Sequence, residues 1–164
     1  MSAVTASRRP LLIALGHPYR SDDAAGPKVL ENVRRQLPDG ADLVHHNGDP
    51  SELIDLWTNR EVLIVDAAPV ADDAPPVTVF DPLSGATGLA DGRGRVTSSH
   101  ALSLAEALEL GRMLEKLPAS LQVIAVAGED FSFGEKLTPR ARRGVAAASA
   151  WIVGAIRAIE KGDG

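Results

Sequence analysis

The chain has 164 residues, of which 45% are hydrophobic and 24% charged, and a formal net charge of -5 at pH 7. That length suffices for one domain with a two- or three-layer core. The absence of cysteine excludes disulfides, thiolate metal sites and cysteine nucleophiles, and suits a cytoplasmic setting. Basic residues gather only locally, at 8–9, 34–35 and 140–143, where they read as helix ends or a tail and not as a nucleic-acid surface.

Residues 1–9 are expected to form a disordered tail and 10–161 a single domain. The paired arginines before LLIAL invite comparison with an export signal. The apolar run of 11–15 falls short of the roughly 7 to 15 residues an h-region needs, and no later run approaches the about 20 residues of a membrane span.

LLIAL at 11–15 is apolar without alternation, as suits a strand buried on both faces. A helix follows over 25–37 with Val29, Leu30, Val33 and Leu37 on one side. Pro27 lacks an N–H and cannot sit in a helix interior, so the helix begins no earlier than about Asp23. ADLVHH at 41–46 predicts a second strand. PSELIDLW at 50–57 predicts a short helix capped near Asp49 or Ser51. VLIVDAA at 62–68 is a third strand, and VTVFD at 77–81 a fourth. The connection between those two is too short for a crossover helix, which puts the fourth strand antiparallel or at an edge. An irregular stretch over 82–99 is long enough to suggest a functional loop.

A helix begins near Ala101 and runs to 117, with Leu104, Leu108, Met113 and Leu117 on its apolar side. LQVIAVA at 121–127 is the last strand. In the final helix Thr138 serves as cap, Pro139 as first residue, and Val145, Trp151, Ile152, Ile156 and Ile159 as the apolar stripe. The order β-α-β-α-β-β-α-β-α predicts an α/β fold with a mostly parallel sheet between helices.

Ligands of such sheets gather beyond the carboxyl ends of the strands. Asp22 and Asp23, Asp66 and His100 all fall at that edge. The acid pair reads as a helix cap, or as one cap and one metal ligand or acid–base group. Asp66, closing the apolar run VLIV, must be hydrogen-bonded, paired or bound to metal. His100 lies at a helix start, where the dipole disfavours imidazolium and favours a neutral, ligating ring. Together the two carboxylates and the imidazole suggest an O,O,N site for zinc, nickel or another divalent ion.

Other chemistries fit less well. Neither GxGxxG nor GxxxxGK[ST] follows the first strand. A triad of Ser98 or Ser99 with His100 and Asp66 lacks a nucleophile elbow. His45 and His46 end the second strand facing opposite ways, so at most one of them is expected at the site.

The ordered set GHPYRSDDAAG at 16–26, VLIVDAAPV at 62–70 and TSSHALSLAEAL at 97–108 resembles the hydrogenase maturation proteases. These are endopeptidases that trim the C-terminal extension from the large subunit of [NiFe] hydrogenases. The first segment follows the pattern GNxxxxDDxxG, with Gly16, Asp22, Asp23 and Gly26 in register. NGDPSELIDLW and GEDFSFGEKLTP also resemble segments of that family, and the likeness spans roughly 11–160.

The resemblance implies a three-layer α/β/α sandwich with a five-stranded sheet, one strand antiparallel. It implies that Asp23, Asp66 and His100 bind metal and carry catalysis, and that the protein acts as a monomer on a hydrogenase large-subunit precursor. Nickel would already sit in that precursor as the recognition element, with zinc or cadmium able to substitute. The activation of water stays open between the metal and a carboxylate base.

Two departures stand out. His17 replaces the usual asparagine, as a substitute hydrogen-bonding group or an additional ligand, and Asp23 stands where some members carry glutamate. Asp22 is the expected cap or support, with a further role as ligand left open. Two other functions share the scaffold. One is a non-catalytic metalloprotein assembly factor. The other is a small-molecule hydrolase using Asp66 and His100 as base and orienter.

Overall fold

The computed structural model describes residues 9–84 and 99–162. Strands β1 (Leu11–Leu15), β2 (Asp42–His46), β3 (Glu61–Pro69), β4 (Val77–Phe80) and β5 (Ser120–Gly128) alternate with helices α1 (Ala25–Gln36), α2 (Pro50–Trp57), α3 (Ser99–Leu114) and α4 (Pro139–Gly162). The strands form one sheet in the order β2-β1-β3-β5-β4. Only β4 is antiparallel, pairing with β5 at the sheet edge. The tail expected over 1–9 lies, except for Arg9, outside the described residues. So do positions 85–98 of the expected functional loop.

The strands alternate between two apolar layers. Leu12 and Ala14 of β1, with Leu63, Val65 and Ala67 of β3, pack with Val29 and Val33 of α1 and Ile152 and Ile156 of α4. Leu11, Ile13 and Leu15, with Val62 and Ile64, pack on the other side with Leu53 and Trp57 of α2 and Leu104 and Leu108 of α3. A strand buried on both faces has no polar side to show, so these runs lack alternation. Trp57 is fully buried, and its indole N–H donates to the Lys116 carbonyl at 2.9 Å. Each such side chain contributes about 1.5–3 kcal/mol of hydrophobic stabilisation.

Helix starts follow their chemistry. The Asp49 carboxylate accepts from the N–H groups of Ser51 and Glu52 ahead of Pro50. Thr138 Oγ1 accepts from Ala141 N–H ahead of Pro139. At the start of α1 neither acid makes a side-chain cap. Both lie in a preceding 3₁₀ turn, Ser21–Ala24.

Two positions expected in apolar stripes are exposed instead, Met113 by 75% and Trp151 by 40%. Helix α3 begins at Ser99 and ends at Leu114, and Met113 lies in its last turn on the solvent side. Ile152, next to Trp151, takes the inward position. Among the described residues, no helix is long and apolar enough to cross a membrane.

Candidate metal centre

From β1 the chain crosses through α1 to β2 on one side, and β3 lies on the other. The loops beyond β1 and β3 therefore part, and a crevice opens between them. Strand β1 pairs with β3 only as far as Ala14 and Val65. One residue further, Asp66 meets the space that the β1 chain leaves by turning at Gly16.

Asp66 does not end its strand as its sequence position suggested. Strand β3 runs on to Pro69, with Asp66 opposite Ala125 of β5. It falls on the same face as Ile64, the side covered by α2 and α3, and so looks toward the first turn of α3. There His100 Nδ1 lies 3.0 Å from Asp66 Oδ2.

Two close packings bring Asp23 to the same place. A Cβ on Gly16, whose φ is +125°, would stand 2.1 Å from the Asp23 carbonyl oxygen. A Cβ on Gly26 would stand 2.2 Å from the Leu15 carbonyl oxygen. Glycine at both positions lets the 3₁₀ turn and α1 lie directly on the end of β1. The main-chain N–H of His17 then donates to Asp23 Oδ2 at 2.7 Å. Asp23, Asp66 and His100 each offer one ligand atom, and these atoms all lie within 4.8 Å of one another.

The adjacent acid has a different task. Asp22 is fully buried. Its Oδ2 accepts from the N–H groups of Glu129 and Asp130 and from Thr138 Oγ1, and its Oδ1 accepts from Thr138 N–H. It ties the turn carrying Asp23 to the end of β5 and the start of α4. Its carboxylate is engaged in these four bonds and does not belong to the three-residue group, and it caps no part of α1.

His17 also stands outside that group. Its Nδ1 accepts from Tyr19 N–H at 3.1 Å, and its ring lines the cleft. His45 and His46 both border the cleft, against the expectation of one at most, because the cleft wraps over the end of β2. His45 Nε2 is 2.7 Å from the Gly16 carbonyl oxygen. His46 accepts from Gly48 N–H at Nδ1 and meets Glu52 at 2.9 Å through Nε2.

The cleft has a volume of about 680 Å³ and is also lined by Pro18, Arg20, Asn47, Asp23 and His100. At His100 the pull on the proton runs opposite to that expected from a helix start. The hydrogen bond with Asp66 raises its pKa above the ordinary 6.5, aided by the negative charges of Asp66 and Asp23 and opposed by burial. A carboxylate at hydrogen-bonding distance outweighs the helix dipole. Ser98, weighed as a triad member, lies outside the described residues.

Solved structures share this architecture. The hydrogenase maturating endopeptidase HybD from E. coli aligns with a TM-score of 0.75 and 24% identity, over 91% of this chain and 92% of that one. The [NiFe] hydrogenase maturation protease HybD from Thermococcus kodakarensis aligns at 0.69 and 24%, over 88% and 96%. The endopeptidase HycI from Escherichia coli aligns at 0.64 and 20%, over 89% and 90%. No protein-family model and no curated protein sequence matches the chain. The chain has the fold of the hydrogenase maturation proteases over about nine-tenths of its length.

Proposed function

We propose that this protein is an endopeptidase that removes the C-terminal extension of a [NiFe] hydrogenase large-subunit precursor, acting as a cytoplasmic monomer. Nickel already held by the precursor would be the feature it recognises. The observation that carries this reading is the convergence of Asp23, Asp66 and His100 within 4.8 Å beside an open cleft. The endopeptidase names of proteins sharing the fold support it.

Two carboxylates and one imidazole form a donor set suited to nickel or zinc, and three ligands leave positions for groups of the precursor. An ion held there would act as a Lewis acid toward the scissile carbonyl. The protein's own residues do the positioning. Asp66 fixes the His100 ring through Nδ1, and the His17 N–H fixes Asp23. The cleft walls of Pro18, Arg20 and Asn47 receive an extended peptide.

The test is to mix the protein with nickel-loaded and nickel-free precursor and follow loss of the extension by intact mass. Cleavage of the loaded form alone is expected. Asp23→Ala and His100→Ala should abolish it while melting stays near that of the unaltered protein. Equal cleavage of both forms, or full activity in either variant, would sink the proposal. Binding of the loaded form without cleavage would favour an assembly factor.

The His100–Asp66 hydrogen bond also favours a second reading. In it, the pair is a base and its orienter in a hydrolase of small molecules. That reading expects hydrolysis of simple esters or amides to persist in a strong chelator and without any precursor.

A further inference from the structure

Beside the cleft, two segments far apart in sequence are bound into a single rim. Ser21 N–H donates to the Gly134 carbonyl at 2.9 Å, and Gly134 N–H donates to the Tyr19 carbonyl at 2.9 Å. The Ser21 hydroxyl donates to the Ser132 carbonyl at 2.9 Å. Ser21 itself takes a φ of +50°, unusual for a residue with a side chain, and is buried. Strained backbone of this kind persists only where its surroundings enforce it. The Asp22 carboxylate, clamped on Glu129, Asp130 and Thr138, supplies much of that enforcement.

The rim displays aromatic surface. Tyr19 is 59% exposed and Phe133 75%. The parallel bridge between Arg20 and Gly134 brings the two backbone segments that carry Tyr19 and Phe133 together. The Arg20 guanidinium lies 4.5 Å from the centre of the Phe133 ring, within cation–π range. His17 meets Tyr19 edge to face. Two residues earlier in the same loop, Phe131 packs on the core under α4. The loop thus turns one phenyl ring inward and holds the other out.

Exposed aromatic rings with an arginine, on backbone that is already ordered, have the composition and low ordering cost of binding hot spots. Single exposed apolar side chains need no explanation. Here the patch is continuous with the cleft through Pro18 and Arg20, which line it.

We infer that Tyr19, Arg20 and Phe133 form an exosite for the folded body of the precursor whose extension enters the cleft, an inference that rests on the protease reading above. The rim grips an apolar patch on that body and, through Arg20, an acidic or carbonyl group at its border. The grip delivers the tail to Asp23, Asp66 and His100 without itself touching the reacting bond.

The test measures binding of nickel-loaded precursor in two forms, with its extension and truncated to lack it, by biolayer interferometry. Tyr19→Ala/Phe133→Ala should weaken both by on the order of 10- to 100-fold. Tyr19→Phe/Phe133→Tyr should bind as the unaltered protein does. Phe133→Ser alone gives the same direction should the double variant melt early.

Undiminished binding of the double alanine variant to both forms would overturn the exosite and leave the protease reading standing. Loss confined to the form with the extension would place the patch on the tail, which also overturns the inference. If the unaltered protein binds neither form, the protease reading falls and the exosite with it.

Discussion

His100 Nδ1 and Asp66 Oδ2 stand 3.0 Å apart, joining the first turn of α3 to the middle of β3 across 34 positions of sequence. Both side chains are largely shielded, at 19% and 10% exposure. The contact raises the His100 pKa above 6.5. A histidine whose folded pKa is raised contributes stability that is complete below its unfolded pKa, near 6.5, and is lost as pH rises through the folded value. In the metal-free protein, NMR titration should place the His100 midpoint above 6.5. Asp66→Asn should lower it, because burial then acts with less opposition. A midpoint below 6.5 in the unaltered protein would refute this account.

On the metal-centre reading, the same proton would compete with an ion. Below its raised pKa, His100 carries a charge and offers less access to a divalent ion, so affinity should climb as pH rises through that window. Titration calorimetry with zinc or nickel should show this climb, and His100→Ala should flatten it. Asp23→Ala, Asp66→Ala and His100→Ala should each cost on the order of 10- to 100-fold or more in affinity, judged against losses seen for supporting residues. His17→Ala, outside the three-residue group, should cost far less. Equal loss at His17 would show that it is a ligand.

Asp22 and Asp23 are neighbours with opposite mutational signatures. Asp22→Ala takes the buried carboxylate away from the N–H groups of Glu129, Asp130 and Thr138. Losing the four hydrogen bonds of a buried carboxylate costs on the order of 3 kcal/mol. For a chain of this size that is a fall of about 6–12 °C in Tm. Asp23→Ala, on the cleft wall, should move Tm little and remove metal binding. Calorimetric melting of the two variants side by side decides the matter, and equal Tm values would refute the division of labour.

The alternation of apolar runs with helical periodicity was enough to place the five strands and four helices of the described residues, because doubly buried strands and amphipathic helices leave opposite patterns. Asp66 stood out for the same reason, as a lone acid inside VLIVDAA. What the sequence could not show depends on distant partners. Asp22 reads as a helix cap until residues 129–138 are seen folded over it. The upward pull on the His100 pKa has no local cue, since the neighbour that exerts it lies 34 residues away. The rim of Tyr19 and Phe133 carries no local signal at all, since neither residue belongs to a periodic segment. Met113 and Trp151 match helical spacing and yet face solvent, because a stripe read at 3.6 residues per turn does not fix its own edges.

One of the two glycines that seat α1, Gly26, gives a test with an internal control. At Gly26 an added methyl would meet the carbonyl oxygen of Leu15 at 2.2 Å and that of Val65 at 3.1 Å. Both are backbone atoms of paired strands and cannot swing aside as a side chain would. Gly26→Ala must therefore lift α1 from the sheet, and overpacking of this kind costs about 1–3 kcal/mol. The displacement would carry the turn before α1 with it, moving Asp23 relative to Asp66 and His100. Gly154, within α4, has nothing within 4 Å of the corresponding position. Alanine there should stabilise by about 0.4–1 kcal/mol, through helix propensity and a less flexible unfolded chain. Urea unfolding should thus separate the two substitutions in sign, and metal titration should weaken only for Gly26→Ala. A Gly26→Ala protein with unaltered stability and metal affinity would show that α1 is not seated as tightly as these contacts require.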